Sequence, residues 1–239
     1  KLLKDKFDVS ENLSLLIAVG TSICGATAIV ALAPSINAKK AEITYAIANI
    51  TVFGLLAMFF YPFIANNIFS NDLSIGLFLG SSIHETAQVA GSGLIYADQY
   101  LRQDVVGIAM LTKLVRNTLM VIVIPYLAHR SLSNHNTRPN VSKIFPYFII
   151  GFIVFGLVRT FGDYYFLNQN DSVINNWNLI VYYIKQLAEF LLIIAMAAIG
   201  YNTNFKYFKK LGIKPFYLGF IAASMVGLIS ISIIGLLID

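Results

Sequence analysis

The chain alternates long apolar runs with short polar connections. Seven runs stand out, at residues 13–33, 45–65, 75–95, 105–128, 145–162, 177–200 and 215–238. Each is close to the ~20 residues needed to cross the hydrocarbon core of a bilayer. Backbone N–H and C=O groups find no water partner in lipid, so each run is expected to be helical. The alternation of a membrane β-barrel is absent. The connections carry helix breakers: Pro34, Asn66 and Asn67, Ser70-Asn71-Asp72, and the stretches 131–139 and 168–178. The expected fold class is all-α, a polytopic transmembrane bundle forming a single membrane domain over 1–239.

The first and third runs differ from ordinary spans. Gly20-Thr21-Ser22-Ile23-Cys24-Gly25 interrupts the first, and Gly80-Ser81-Ser82-Ile83-His84-Glu85 interrupts the third. Both read Gly-(Ser/Thr)-Ser-Ile, offset by 60 residues, and both continue into small residues. Glycine and hydroxyl residues at such a point predict a break in each helix. Charge placement bears on what the broken segments do. If all seven runs span, Lys and Arg divide 10 against 3 between the two sides. If the first and third enter and return on one side, the division is 12 against 1, a cleaner positive-inside pattern. The two segments would then enter from opposite faces, as in an inverted repeat with interrupted helices at mid-membrane. Broken helices that span fully are the other reading. The two differ in whether residues 1–11 share a side with 34–44.

Composition agrees with a membrane protein. Apolar residues make up 57% and charged residues 12%, with mean hydropathy +0.72. A soluble domain carries roughly 25% charged residues. The net charge of +5 sits mostly in the connections, which reads as topology rather than as a nucleic-acid footprint. The single cysteine, Cys24, excludes an intramolecular disulfide. The polar start, Lys1 to Lys6, is no signal peptide, and without an initiator Met the sequence reads as truncated or as the ordered part of a longer protein.

Ionisable groups in apolar spans cost about 2.5–3.5 kcal/mol each at the bilayer centre, which makes them candidates for ion handling. Ser81, His84, Glu85 and Gln88 fall at i, i+3, i+4 and i+7, a single helical face, and Lys113, Arg116 and Asn117 at i, i+3 and i+4. The expectation is a polar pathway in which Glu85 pairs with Lys113 or Arg116, with His84, Glu85 and Gln88 coupling an ion, a proton or sodium. The alternative is a structural ion pair that pins two helices. Lys185 and Glu189, at i and i+4 in the sixth run, sit where long side chains reach the interface. The break at Gly20 to Gly25 would expose backbone N–H groups at a half-helix N-terminus, which suits a desolvated anion. Gly20, Thr21, Ser22, Gly25, Thr27 and Ser82 would line such a site, with Lys113 and Arg116 completing its charge balance. Close helix packing through small residues is the competing explanation. His84-Glu85-Thr86-Ala87-Gln88 has the outline of a zinc-protease helix, but Gln88 replaces the second histidine, and no metal is expected. No motif for a cofactor or a covalent nucleophile is present, so no enzyme activity is expected.

At these residues the chain resembles the YeiH-type family of bacterial sulfate exporters. The resemblance rests on four segments in the family's order: Leu16 to Ile29, Gly80 to Val89, Lys113 to Asn117, and Ala195 to Gly200 followed by Asn202 and Thr203. Thr27 and Gly91 stand where the family carries other small residues. The resemblance implies a multi-pass protein of the bacterial inner membrane, of about ten helices, related to secondary transporters built from inverted repeats. It implies a small anion such as sulfate as substrate, and a homo-oligomer is compatible with it. The rival readings are an ion channel and a structural or sensory membrane component without flux.

Overall fold

The computed structural model describes residues 7–132, 148–166, 171–202 and 212–238. Every regular element among them is a helix. Two compact units emerge, one formed by residues 1–145 with 203–239, the other by 146–202.

The first unit opens with a broken segment. α1 (Glu11–Ser22) begins at Ser10, whose hydroxyl accepts from the Leu13 N–H. It stops at Ile23, and α2 (Gly25–Leu32) starts two residues later. α3 (Lys40–Ile68) follows. The pattern then recurs. α4 (Asp72–Ser82) begins at Asn71, whose side chain accepts from the Ser74 N–H, and stops at Ile83. α5 (Thr86–Tyr100) follows the break. α6 (Asp104–Thr118) runs through Leu119 into α7 (Met120–Leu132). α10 (Lys214–Leu237) closes the unit. Among the described residues, three helices are long and apolar enough to cross a membrane: α3, the joined α6–α7 from Asp104 to Arg130, and α10. Leu56, Phe59, Phe60 and Phe63 stand exposed on α3, with Phe60 at 59%. Such a stripe is unfavourable in water and at home in acyl chains.

Hydrogen bonds at the polar ends decide how the broken segments run. The Ser10 hydroxyl donates to Glu42 Oε1 at 2.5 Å, and the Lys39 N–H donates to Glu42 Oε2 at 2.9 Å. The chain therefore enters at residue 10 and is back at the same place by residue 39. Likewise Arg102 donates to Ser70 O at 3.3 Å and to Asp72 Oδ1 at 2.9 Å, while Tyr96 Oη meets Asn66 Oδ1 at 3.0 Å. The entry of α4 and the exit of α5 share a face. Both broken segments are re-entrant hairpins. α3, about 43 Å long at 1.5 Å per residue, joins them, so they enter from opposite faces. With 12 and 11 residues, the entering arms α1 and α4 are about 18 and 16 Å long, roughly half of a ~30 Å core. Their tips lie near the midplane. Among the described residues, Lys39, Lys40 and Lys214 mark the face of the first hairpin, and Arg102 marks the other.

Packing then locks the hairpins. A Cβ on Gly20 would strike Ile50 of α3 and Ile29 of α2, so α1 lies close to both. A Cβ on Gly80 would strike the Ala109 carbonyl of α6. Ile75, Phe78, Leu79, Ile83, Val89 and Tyr96 form the core of the second hairpin with Val105 and Ala109. α10 packs against α1, meets the second hairpin at Ser230, whose hydroxyl is 2.5 Å from that of Ser81, and lies along α3, where Asn49 donates to Pro215 O at 3.0 Å.

The second unit holds α8 (Phe148–Phe166) and α9 (Asp171–Asn202). Trp177 Nε1 donates to Asp163 Oδ1 at 2.7 Å, and Arg159 pairs with Asp163 at 2.8 Å. Gly162 leaves room for the indole. The fifth and sixth apolar runs correspond to these helices, except that 145–147 lie outside the described residues. Lys185 is exposed on α9, and the Glu189 side chain lies outside what is described.

Candidate functional site

The two hairpin tips meet, and two cations from α6 hold them. α1 and α4 each end with carbonyl groups that have no further helical turn to bond. Lys113, fully buried, donates to Ile23 O at 2.9 Å, Ile83 O at 2.9 Å and His84 O at 2.6 Å. An ammonium has three N–H donors, and all three are used. Arg116, one turn further, donates from Nε to Ser22 O at 2.8 Å, from Nη1 to Ser81 O at 2.7 Å and Ile83 O at 3.2 Å, and from Nη2 to Thr21 O. Positive charge thus sits at two half-helix C-termini, where the backbone dipoles present about half a negative charge each.

Expected partners are redistributed. Among the described contacts Glu85 forms no ion pair with Lys113 or Arg116, because backbone carbonyls take their N–H groups. The carboxylate turns to the first hairpin instead. It accepts from the Ala26 N–H at the start of α2, and the Thr51 hydroxyl lies 3.5 Å from Oε1. The bare backbone of Gly25 admits it: a Cβ there would meet Glu85 Cγ and lie 2.9 Å from Oε1. The half-helix N-terminus that the sequence offered to an anion holds a carboxylate of the protein itself.

The remaining predicted residues fall into three groups. Gly20 is a packing glycine, and the hydroxyls of Thr21, Ser22 and Ser82 bond back to the carbonyls of Ile17, Ala18 and Phe78. Thr27 is exposed on α2. His84 and Gln88 are buried beside the tips with Glu85. Ser81, His84, Glu85 and Gln88 do not share a helical face, since the helix stops at Ser82 and restarts at Thr86. Gln88 donates to Thr51 O at 3.3 Å, and Gly54 makes room for its amide. Both ring nitrogens of His84, Glu85 Oε2, Gln88 Oε1 and Asn117 Oδ1 are buried without a partner. Buried polar atoms in folded proteins are normally satisfied, so this cluster is where a ligand, water or proton has work to do. Asn117 also donates to Thr86 Oγ1 at 3.3 Å, and Cys24 Sγ lies 4.0 Å from that oxygen. Sequence reasoning passed over Thr51 and Asn49. The signal was available, since both are polar residues inside the second apolar run, but attention to charge alone missed them.

With Glu85 ionised, Lys113, Arg116 and Glu85 carry a net charge of +1; with Glu85 protonated, they carry +2. The surplus is positive in both states. No group of His, Cys, Asp and Glu able to hold a metal ion occurs among the described residues.

A family model described as conserved hypothetical protein 698 matches residues 2–219. The chain is 31% identical to a UPF0324 membrane protein of Clostridium tetani over 242 residues, covering 96% of this chain and 66% of the relative. It is 33% identical to UPF0324 membrane protein SAG1125 of Streptococcus agalactiae, covering 97% and 66%. It is 34% identical to the UPF0324 inner membrane protein YeiH of Escherichia coli K12, covering 87% and 56%. The chain thus spans between about half and two thirds of the length of these relatives. No solved structure matches.

Proposed function

The chain belongs to the conserved hypothetical protein 698 family of membrane proteins, and on that premise we propose that it is a secondary transporter. It carries a small anion, sulfate or a sulfonate-derived oxyanion, outward across the bacterial inner membrane, driven by an ion gradient. One observation carries the reading: two re-entrant hairpins from opposite faces meet at buried cations, leaving a positive surplus beside unpartnered polar atoms. The two half-helix C-termini offset the cations in part, the N-terminus of α5 adds positive potential back, and an anion placed there relieves the remainder in a low-dielectric interior. A tip reached from both faces is also what alternating access requires.

The anion is assigned to the start of α5. The first-turn N–H groups of that half-helix have no side-chain cap, whereas Glu85 occupies the equivalent end of α2. His84, the Thr86 hydroxyl and Asn117 flank the position. Glu85 and Gln88 carry the coupling role, with Thr51 orienting both, its hydroxyl toward Glu85 and its backbone carbonyl toward Gln88. Lys113 and Arg116 supply charge without direct contact, because nearly all their donors are committed to carbonyls.

The test is flux of labelled sulfate in proteoliposomes of the full-length protein. Wild-type protein gives saturable flux that responds to an opposing proton gradient. Glu85→Gln keeps the shape but gives up a charge-assisted hydrogen bond, about 1.5–3 kcal/mol, which lowers flux roughly 10- to 100-fold. Wild-type flux in Glu85→Gln and His84→Asn rejects the site. Flux that never saturates identifies a channel, and no sulfate flux from folded protein rejects the substrate.

A further inference from the structure

We infer that Lys113 is a tethered monovalent cation: its ammonium fills an oxygen site built from the Ile23, Ile83 and His84 carbonyls, where a free alkali cation would otherwise join the hairpin tips. The three oxygens lie at 2.6–2.9 Å, come from the two tips, and converge on one buried atom. Carbonyls at broken-helix C-termini are the backbone's way of coordinating a desolvated cation. Here the cation arrives on a side chain from α6. It cannot dissociate, and it fills the site without drawing an ion from solution.

The surroundings argue the same way. Arg116 lies one turn along the same helix and bonds Ile83 O as well. His84 and Glu85 come from the second tip and Cys24 from the first. These groups already leave the crossing positive, so adding a sodium ion would deepen the surplus. Resting on the transporter reading, the consequence is that sodium has no place at the crossing and the coupling ion is the proton. The structural claim stands apart from transport, since it concerns only what holds the tips together.

The experiment is thermal melting of purified full-length protein in detergent, titrated with sodium, potassium or choline chloride at constant ionic strength. Wild-type protein melts at the same temperature in all three salts. Lys113→Ala melts lower in choline, and sodium or potassium raises its melting temperature by roughly 5 °C with a saturating dose response. Lys113→Ser, prepared throughout in sodium chloride and then exchanged into choline, gives the same result by a second route if the alanine variant does not fold. Saturable alkali stabilisation of the wild type overturns the inference. So does a variant that is destabilised yet indifferent to the cation, which would make Lys113 a packing residue. Absence of sulfate flux leaves both melting outcomes untouched, so the two readings fail separately.

Discussion

Gly25→Ala tests the contact between the hairpins with the least change of matter. Gly25 has a φ of +22°, where an L side chain is strained, at about 1–2 kcal/mol. The three heavy atoms nearest its new Cβ all belong to the Glu85 side chain. Relief requires the carboxylate to leave the Ala26 N–H, losing a charge-assisted bond of about 1.5–3 kcal/mol at a helix N-terminus. Together these give a destabilisation of about 2.5–5 kcal/mol, large for a single methyl group. The assay is reversible unfolding in mixed micelles with a rising fraction of denaturing detergent. A double-mutant cycle with Glu85→Ala isolates the contact, because without the carboxylate only the backbone strain remains. The expected coupling is about 2–3 kcal/mol. Gly107→Ala is the control: nothing lies within 4 Å of its Cβ, and alanine in a helix there is neutral or stabilising by up to about 1 kcal/mol. A Gly25→Ala protein within about 0.5 kcal/mol of wild type, or a cycle additive to that margin, refutes the placement of Glu85.

Removing Arg116 leaves the Thr21, Ser22 and Ser81 carbonyls without their donor, at about 1–3 kcal/mol each. Arg116→Ala is therefore expected to unfold roughly 3–9 kcal/mol more easily in the same micelle assay. Arg116→Lys recovers less than half of that, since three donors on one nitrogen cannot reach carbonyls that the fork serves from three separate nitrogens; full recovery would contradict the geometry. Single cysteines at Asp8 and Asn37 are expected to react with an impermeant thiol reagent from one side of the membrane, and cysteines at Asn67 and Ser70 from the other. Labelling of positions 8 and 37 from different sides would sink the re-entrant topology.

The hairpins were legible in the sequence through two independent traces, the shared Gly-(Ser/Thr)-Ser-Ile and the cleaner charge division. The structure chooses re-entry through Ser10 and Glu42, a polar pair that looks unremarkable until the chain returns. What stayed hidden were the partners of Lys113 and Arg116. Side-chain patterns advertise Glu85 as the obvious counter-charge, whereas the backbone carbonyls freed at a helix break carry no mark in the sequence. The supposed common face of Ser81, His84, Glu85 and Gln88 failed for the same reason. Counting at 100° per residue assumes a continuous helix, and the break lies inside the counted window.

The geometry of the repeat explains where chemistry can enter. Positions 60 residues apart converge on the same donors: Ile23 O and Ile83 O on Lys113, Thr21 O and Ser81 O on Arg116. Gly25 and Glu85, also 60 apart, touch each other. Residues related by a two-fold can meet only near its axis, so the axis passes through the hairpin tips. A site on such an axis is equivalent from both faces only where the halves match. They match up to Ile23 and Ile83, and diverge at once: Cys24-Gly25 on one side, His84-Glu85 on the other, with Ala28 opposite Gln88. The matched positions hold the tips together, and the divergent ones bring every titratable group but Cys24 from one half. On the transporter reading, proton handling at the crossing is therefore a property of the second hairpin, and exchanging His84-Glu85 with Cys24-Gly25 moves it to the opposite half at a cost of about 1–2 kcal/mol for a side chain at the φ of +22° that Gly25 holds.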